Sequence, residues 1–356
     1  MLDRMRAVVI SKFGGPEVLK IEELPTPQPG PSEILVRIMA SALNRADILQ
    51  REGRYPAPPG ASANIPGMEF AGEVCSHPFA EKRSEKGGAP GSSKWRVGQR
   101  VFGLTPAGAH AEFLVAHQDA VAEIPVDLSW SEAAAIPEAF ITAHDALWQQ
   151  AGLQVGESVL IHAVGSGVGL AAVELVRARG AIPYGTSRTQ AKLERARKLG
   201  MEDGVAVGSD FAPMIQQVKQ WTAGRGVNVV LDLAGGPYVA ASIEAAALKA
   251  RLMLVGTVAG GRAEIPLGQV LSKRLRLTGT VLRSRSIAEK IEVTQAFAAE
   301  VVPLFASGKL HPVIDSEFSL DEIQAAHRRM QSNETFGKVV ISIQQSAIGI
   351  QPKREL

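Results

Sequence analysis

SVLIHAVGSGVGLAAVELVRARGAIPYGTSR, residues 158–188, carries the pattern from which the fold class follows. Its opening apolar run, Ser158–Ala163, reads as a fully buried strand. Gly165, Gly167 and Gly169 then stand at alternate positions, before an alanine- and valine-rich helix from about Gly167 to Arg179 that Gly180 ends. A second apolar run, Ala181–Thr186, completes a strand–helix–strand unit. In such a unit glycines let the backbone come close to a pyrophosphate, free N–H groups point at it, and the helix dipole favours its charge. The spacing departs from G-x-G-x-x-G, so placement between strand and helix carries the inference. The reading is a dinucleotide site built on Gly165, Ser166, Gly167, Val168 and Gly169.

Outward from this unit the chain has two textures. From Ser129 to about Gly308 strands and helices alternate, which builds a doubly wound parallel sheet. Ser129 with Glu132 three residues on has the capping-box spacing and marks where that texture begins. From Arg6 to about Val126 there are instead short strands and proline- or glycine-rich turns, with one helical stretch expected at Ser41–Arg51. After His311 a strand, a helix and a strand (Gly337–Ile343) are expected to return to the first unit. The fold class expected is α/β, divided as 1–128 with 311–356, and 129–310. Ser76–Trp95, rich in charge, glycine and serine, reads as an exposed insertion.

Composition narrows the function. Across 356 residues the formal charge is only +2, and no basic run has interleaved aromatics, so neither nucleic acid nor a membrane surface is an expected partner. Cys75 is the single cysteine, which excludes an internal disulfide and a cysteine-rich zinc site. The N-terminal MLDRMRAVVI is unlike a secretory signal and no apolar stretch reaches membrane-spanning length, so a cytoplasmic protein is expected.

Several stretches, in order, resemble the zinc-independent medium-chain dehydrogenases/reductases, in the NADPH:quinone oxidoreductase branch that includes zeta-crystallin. They are SALNRADILQREGRYPAPPGAS at 41–62, AAAIPEAFITA at 133–143, HAVGSGVG at 162–169, VLRSR at 281–285 and GKVVI at 337–341. The resemblance implies a GroES-like β-rich catalytic domain closed by the chain's C-terminus, a Rossmann domain, and a homodimer. Relatives that bind zinc carry a cysteine where this chain has Asn44, and a histidine–glutamate pair at Met68-Glu69. An amide and a thioether replace two ligands there, so no metal is expected.

The strand ending near Thr186 bears on the cofactor. An acid about twenty residues past the glycine turn would select NAD; here Tyr184-Gly185-Thr186-Ser187-Arg188 has none before Glu194. Ser187, Arg188 and Lys192 instead suit a 2′-phosphate, and NADPH is the expected cofactor. The alternative for the two cations is the basic first turn of a solvent-facing helix. One phosphate-contacting tyrosine of the family has no counterpart, since Val207 falls near its place.

For the substrate cleft the candidates are Asn44, Tyr55 and Thr142. Asn44 can bond a carbonyl oxygen or serve as a helix-start amide. Tyr55 resembles the catalytic tyrosine of related enoyl reductases; a phenol can donate a proton or stack on a quinone, or be a plain loop aromatic. Thr142 resembles the family threonine near the nicotinamide, against an ordinary intrahelical hydroxyl. Asp232, Gly256 and Leu282 lie at or near strand ends, where ligands of such sheets collect, and Gly337 and Lys338 match the family's C-terminal cofactor contact. His162 and Cys75 are expected to be structural. The expected activity is zinc-independent NADPH-dependent quinone reduction between the two domains. Two rivals stand beside it: reduction of α,β-unsaturated carbonyls or enoyl thioesters, and cofactor binding without turnover.

Overall fold

The computed structural model describes residues 3–76 and 94–343. Two large sheets organise them. The first has seven strands: β3 (Glu33–Ala42), β4 (Glu69–Ser76), β5 (Arg100–Leu104), β6 (Phe113–His117), β7 (Val121–Glu123), β14 (Ile314–Ser319) and β15 (Lys338–Ser342). Its order is β14-β15-β3-β4-β5-β7, with β6 also pairing β3, and β1 (Arg4–Ile10) and β2 (Leu19–Pro25) form a separate hairpin beside it. The two C-terminal strands thus close the sheet begun by β3, as the sequence led us to expect.

The second sheet holds β8 (Ser158–Ile161), β9 (Ile182–Ser187), β10 (Asp203–Ala206), β11 (Val227–Asp232), β12 (Ala246–Leu254) and β13 (Arg276–Gly279). All neighbours are parallel, in the order β10-β9-β8-β11-β12-β13. Strand order reverses between β8 and β11, so the crevice for a ligand opens at their carboxyl ends. Side-chain alternation shows that both faces are covered. Val159, Ile161, Val229 and Leu231 join one core, while Leu160 and Val230 join another together with Ile243 and Leu252.

The first of those cores also takes in Ala40, Ala71 and Phe102 from the other sheet. The joint is the helical segment between residues 130 and 150, whose Ile136, Phe140, Ile141 and Leu147 are all buried. It starts as expected, with Ser129 Oγ accepting from Glu132 N at 3.2 Å and Ser129 N donating to the Glu132 carboxylate at 2.8 Å. It then departs from α-helical register. Pro137–Ile141 and Asp145–Gln150 are π-helical, a rare geometry that recurs at functional sites.

Some expected boundaries move. The helix expected at Ser41–Arg51 spans Arg45–Arg51, because Ser41 and Ala42 are held in β3 by Ile341 and Val340 of β15. The insertion expected at 76–95 lies, over residues 77–93, outside the described residues. No helix among the described residues is long and apolar enough to cross a membrane.

Candidate active site

The glycine-rich turn follows β8 as expected. Ser166 caps the helix Gly167–Ala178, its hydroxyl accepting from Gly169 N at 3.1 Å. The glycines are needed for space. A Cβ on Gly169 would meet the Val164 carbonyl oxygen at 2.7 Å; one on Gly167 would meet Lys338 Cδ at 2.5 Å, with Ala139 Cβ at 3.8 Å. One on Gly165 would meet Lys192 Cδ at 2.9 Å and the Phe336 ring at 3.3 Å. A helix N-terminus stripped of side chains and approached by two lysine stems could cradle a dinucleotide pyrophosphate, and these residues fit that group.

At one end of the cradle lies a group of cations. Arg188 is exposed, at the end of β9. Lys192 Nζ donates to the Asn333 main-chain oxygen at 2.7 Å, and Arg45 Nη2 to the Asn333 side-chain oxygen at 2.6 Å. Burial lowers the pKa of both Arg45 and Lys192, and the positive charge of Arg188 lowers each further. Among the described residues none of the three has a carboxylate at ion-pair distance. Ser187 is buried and its hydroxyl accepts from Thr189 N at 3.3 Å.

At the other end lies a buried polar knot built on the seven-stranded sheet. The register of β15 on β3 brings Lys338 across from Asn44, and that of β3 on β4 brings Glu69 beside Ala42. Lys338 Nζ donates to Glu69 Oε1 at 2.6 Å, Asn44 Oδ1 at 2.7 Å and Leu43 O at 2.8 Å. Asn44 Nδ2 donates to the same Glu69 oxygen at 2.8 Å. Asp47, itself fully buried, fixes the knot from below by accepting from Asn44 N and Gly67 N, each at 2.8 Å. The Asn44 amide therefore orients Lys338 and Glu69, and its oxygen already accepts from the lysine. Lys338 likewise lays its stem over Gly167 while its ammonium is engaged within the protein.

Glu69 Oε2 takes a third donor, the backbone N–H of Glu138, at 2.8 Å. Burial pushes the Glu69 pKa up, while the Lys338 ammonium, the Glu138 N–H and the Asn44 amide pull it back. Glu138 has no such help. Its carboxyl is half-buried on the first π-helical turn and makes no hydrogen bond among the described residues. Burial and then the negative charge of Glu69 push its pKa to about 8. On the same element Thr142 is buried, and its hydroxyl is without a partner among the described residues.

Arg283, from the VLRSR stretch, forms the far wall. Its Nε donates to Pro106 O at 2.7 Å and its Nη1 to Tyr55 O at 3.1 Å, and its Nη2 bonds Gln50 Oε1. Its guanidinium carbon sits 4.9 Å from the centre of the half-buried Tyr55 ring. Burial raises the Tyr55 phenol above its ordinary pKa, with Arg283 opposing.

The remaining expected positions are placed as follows. Asp232, at the end of β11, turns inward: its Oδ1 accepts from Ala234 N and Gly235 N, both at 2.8 Å, and the residue is sealed from solvent. Gly256 packs on the Leu233 carbonyl, and Leu282 is part of the core. Gly337 N donates to Gly165 O at 3.1 Å, tying the C-terminal strand to the glycine turn. His162 is buried between the hydroxyls of Thr186 (2.9 Å) and Ser242 (2.8 Å), with burial pushing its pKa down to about 4, which suits a packed neutral imidazole. Glu138, Arg283 and Arg45 were missed in the sequence. For Glu138 the available signal was a lone acid in the otherwise uncharged run Ala133–Ala143.

Comparison with known proteins decides the family. A family model described as "Alcohol dehydrogenase GroES-like domain" matches residues 30–126, and one described as "Zinc-binding dehydrogenase" matches residues 167–299. The chain is 30% identical over 340 residues to the quinone oxidoreductase of Lama guanicoe, covering 95% of this chain and 97% of that one. It belongs to the quinone oxidoreductase family of medium-chain dehydrogenases/reductases. Among solved structures, the quinone oxidoreductase of Pseudomonas syringae superposes with TM-score 0.81 at 27% identity, covering 95% and 99% of the two chains. A mycobacterial protein solved with NADPH gives the same TM-score, identity and coverage. Family and fold agree that the protein is an oxidoreductase with a nicotinamide cofactor.

Proposed function

We propose that the protein reduces quinones with NADPH and without zinc, in the cleft between the two sheets. The cofactor, when bound, supplies two electrons as hydride; the protein positions the partners and excludes water. The observation that carries the reading is the Arg283 guanidinium stacked on the Tyr55 ring. It supports a flat, electron-poor ring as the acceptor, because the phenol is held as a rigid planar wall with a cation behind it. The relatives named quinone oxidoreductase support the same acceptor class.

Zinc independence is supported by the donor set. Where zinc-binding relatives have ligands, this chain has Asn44 and Met68, the latter buried in the core. The Lys338 ammonium already fills the space between Asn44 Oδ1, Glu69 Oε1 and Leu43 O, and a second cation there would face like-charge repulsion. The preference for NADPH over NADH is supported by Arg188, Lys192 and Arg45, cations near the end of β9 without a competing acid.

The half-buried phenol of Tyr55 favours one second reading, reduction of α,β-unsaturated carbonyls or enoyl thioesters. NADPH oxidation against quinones, enones and enoyl thioesters, before and after exhaustive chelation, separates the readings. Turnover with quinones that survives chelation is expected. Turnover confined to enones or thioesters would replace the first reading by the second, and loss on chelation restored by zinc would overturn the metal argument.

A further inference from the structure

Reduction of a quinone or an enone by hydride consumes one proton besides, so the cleft needs an acid. The groups lining it differ sharply in what they can give. Lys338 gives its ammonium to three acceptors within the protein, and Glu69 is bonded by three donors, that ammonium among them, which favours its charged form over one with a proton to give. Thr142 carries a hydroxyl that does not titrate in the working range, and the Tyr55 phenol is made a weaker acid by burial. One group remains.

We propose that the Glu138 carboxyl is the proton donor of the reduction, a catalytic residue beyond those expected from the sequence; this rests on the reductase reading above. Its place carries the inference. The backbone N–H of Glu138 is pinned to Glu69 Oε2 at 2.8 Å, which anchors the residue against the knot of Asn44 and Lys338. The next residue, Ala139, lies beside Gly167 at the mouth of the dinucleotide cradle. The π-helical register of Pro137–Ile141 sets where this side chain points, and the carboxyl is left without a hydrogen-bond partner among the described residues. A half-buried carboxyl with unused donors and acceptors, between the cofactor turn and the Tyr55–Arg283 wall, is placed to meet an acceptor's oxygen.

The surrounding charges keep the proton on it. Glu69 and Asp47 face Glu138 with negative charge, and Lys338 and Arg283 with positive charge. Tyr55 and Lys290 feel its charge in turn, the first from the loop after Arg45–Arg51 and the second from the helix Ile287–Glu300. Burial with Glu69 outweighs the cations, and the pKa of about 8 leaves the acid form dominant at neutral pH. An acid of that strength is suited to general catalysis near neutrality. Two neighbouring carboxyls are thereby driven apart, Glu69 carrying the charge and Glu138 the proton.

The step balances simply. The acceptor gains two electrons and one hydrogen as hydride, and a lone pair on the resulting quinol oxygen or enolate forms a bond to the Glu138 proton. The carboxyl O–H bond breaks, its electron pair stays on the carboxylate, and solvent returns the proton after release.

The test is the pH dependence of kcat at saturating NADPH and quinone, in wild type, Glu138→Gln and Tyr55→Phe, with solvent deuterium isotope effects. The wild-type rate should fall about tenfold per pH unit above roughly 8, as the acid form is lost. Glu138→Gln should lower kcat at neutral pH by about 10²-fold, abolish that limb and remove the solvent isotope effect, with KM for NADPH unchanged. Tyr55→Phe should keep the limb. A limb unchanged in Glu138→Gln, or lost in Tyr55→Phe instead, would overturn the assignment while leaving the reductase reading intact. No turnover with any acceptor would sink the reading and the donor role with it. Infrared titration of the cofactor-free protein gives a readout apart from activity: a protonated carboxyl band at pH 7, missing in Glu138→Gln, is expected, and an ionised Glu138 at that pH would overturn the proposal. Should the glutamine variant fail to fold, Glu138→Asp serves. It keeps the acid but draws it back, so the band should persist while kcat falls; an unchanged kcat would contradict the role.

Discussion

Arg283 shows how much a single side chain can do when its partners come from distant parts of the chain. It is buried, yet reaches Gln50, Tyr55 and Pro106, all on the other side of the cleft. Its positive charge is stabilised by carbonyl oxygens and a π face, since no carboxylate is bonded to it among the described residues. Truncation would leave those acceptors without a donor and loosen the Tyr55 wall. We expect Arg283→Ala to lower stability by about 1–3 kcal/mol, the scale of an unsatisfied buried group. KM for the acceptor should rise several-fold while NADPH affinity stays near wild type; denaturant unfolding and steady-state kinetics check both, and an unchanged acceptor KM would mean that the stack does not shape the site. Nothing local in VLRSR announces this role, because its partners lie more than 170 residues away in sequence. The proposal for Arg188 and Lys192 could be made from sequence because its pattern is local: two cations and no acid in the stretch 184–192.

At the level of elements, the glycine turn and the capping box at Ser129 follow from short-range rules and could be read directly. What could not be read depends on the rest of the molecule. The end of β3 at Ser41–Ala42 looks helical until β15 pairs with it. The helix Leu267–Lys273 buries none of its residues, so it leaves no apolar period to find. The π-helical turns are a change of register that composition does not encode. One prediction belongs to this scale. Gly167→Ala would push its Cβ against a lysine stem whose ammonium is tied to three acceptors, so the stem cannot simply swing away. The substitution is expected to weaken NADPH binding by tenfold or more and to cost about 1–3 kcal/mol of stability through overpacking. Gly268→Ala, on the exposed helix where a Cβ meets nothing within 4 Å, should leave both unchanged or slightly raise stability. Calorimetric titration and thermal unfolding distinguish them, and equal behaviour of the two variants would contradict the cradle.

For the whole molecule, the two-sheet plan was legible because alternation of strands with helices differs so plainly from short strands and turns. The shared core between the sheets was not, since it depends on residues 130–150 packing on both. One of the two edges of the parallel sheet is β13, where Arg276, Thr278 and Gly279 are exposed, and Leu271 (77% exposed), Leu267 (64%) and Val281 (46%) flank it in sequence. We propose that two copies pair there, covering an edge that would otherwise invite aggregation. Light scattering should give twice the 37.7 kDa chain mass, and Gly279→Pro, which removes a donor on the side of β13 away from β12, should give monomers; a monomeric wild type would exclude the pairing. We propose a zinc-free cleft that selects NADPH for the reduction of quinones. Its most direct test is one measurement: the rate of nicotinamide oxidation by a simple quinone in chelator-treated, metal-free protein, with NADPH or NADH at the same subsaturating concentration. A charge-assisted hydrogen bond contributes roughly 1.5–3 kcal/mol, so two cations on the 2′-phosphate should make NADPH faster by about 10²-fold or more. Equal rates with the two cofactors, or no oxidation until zinc is restored, would contradict it.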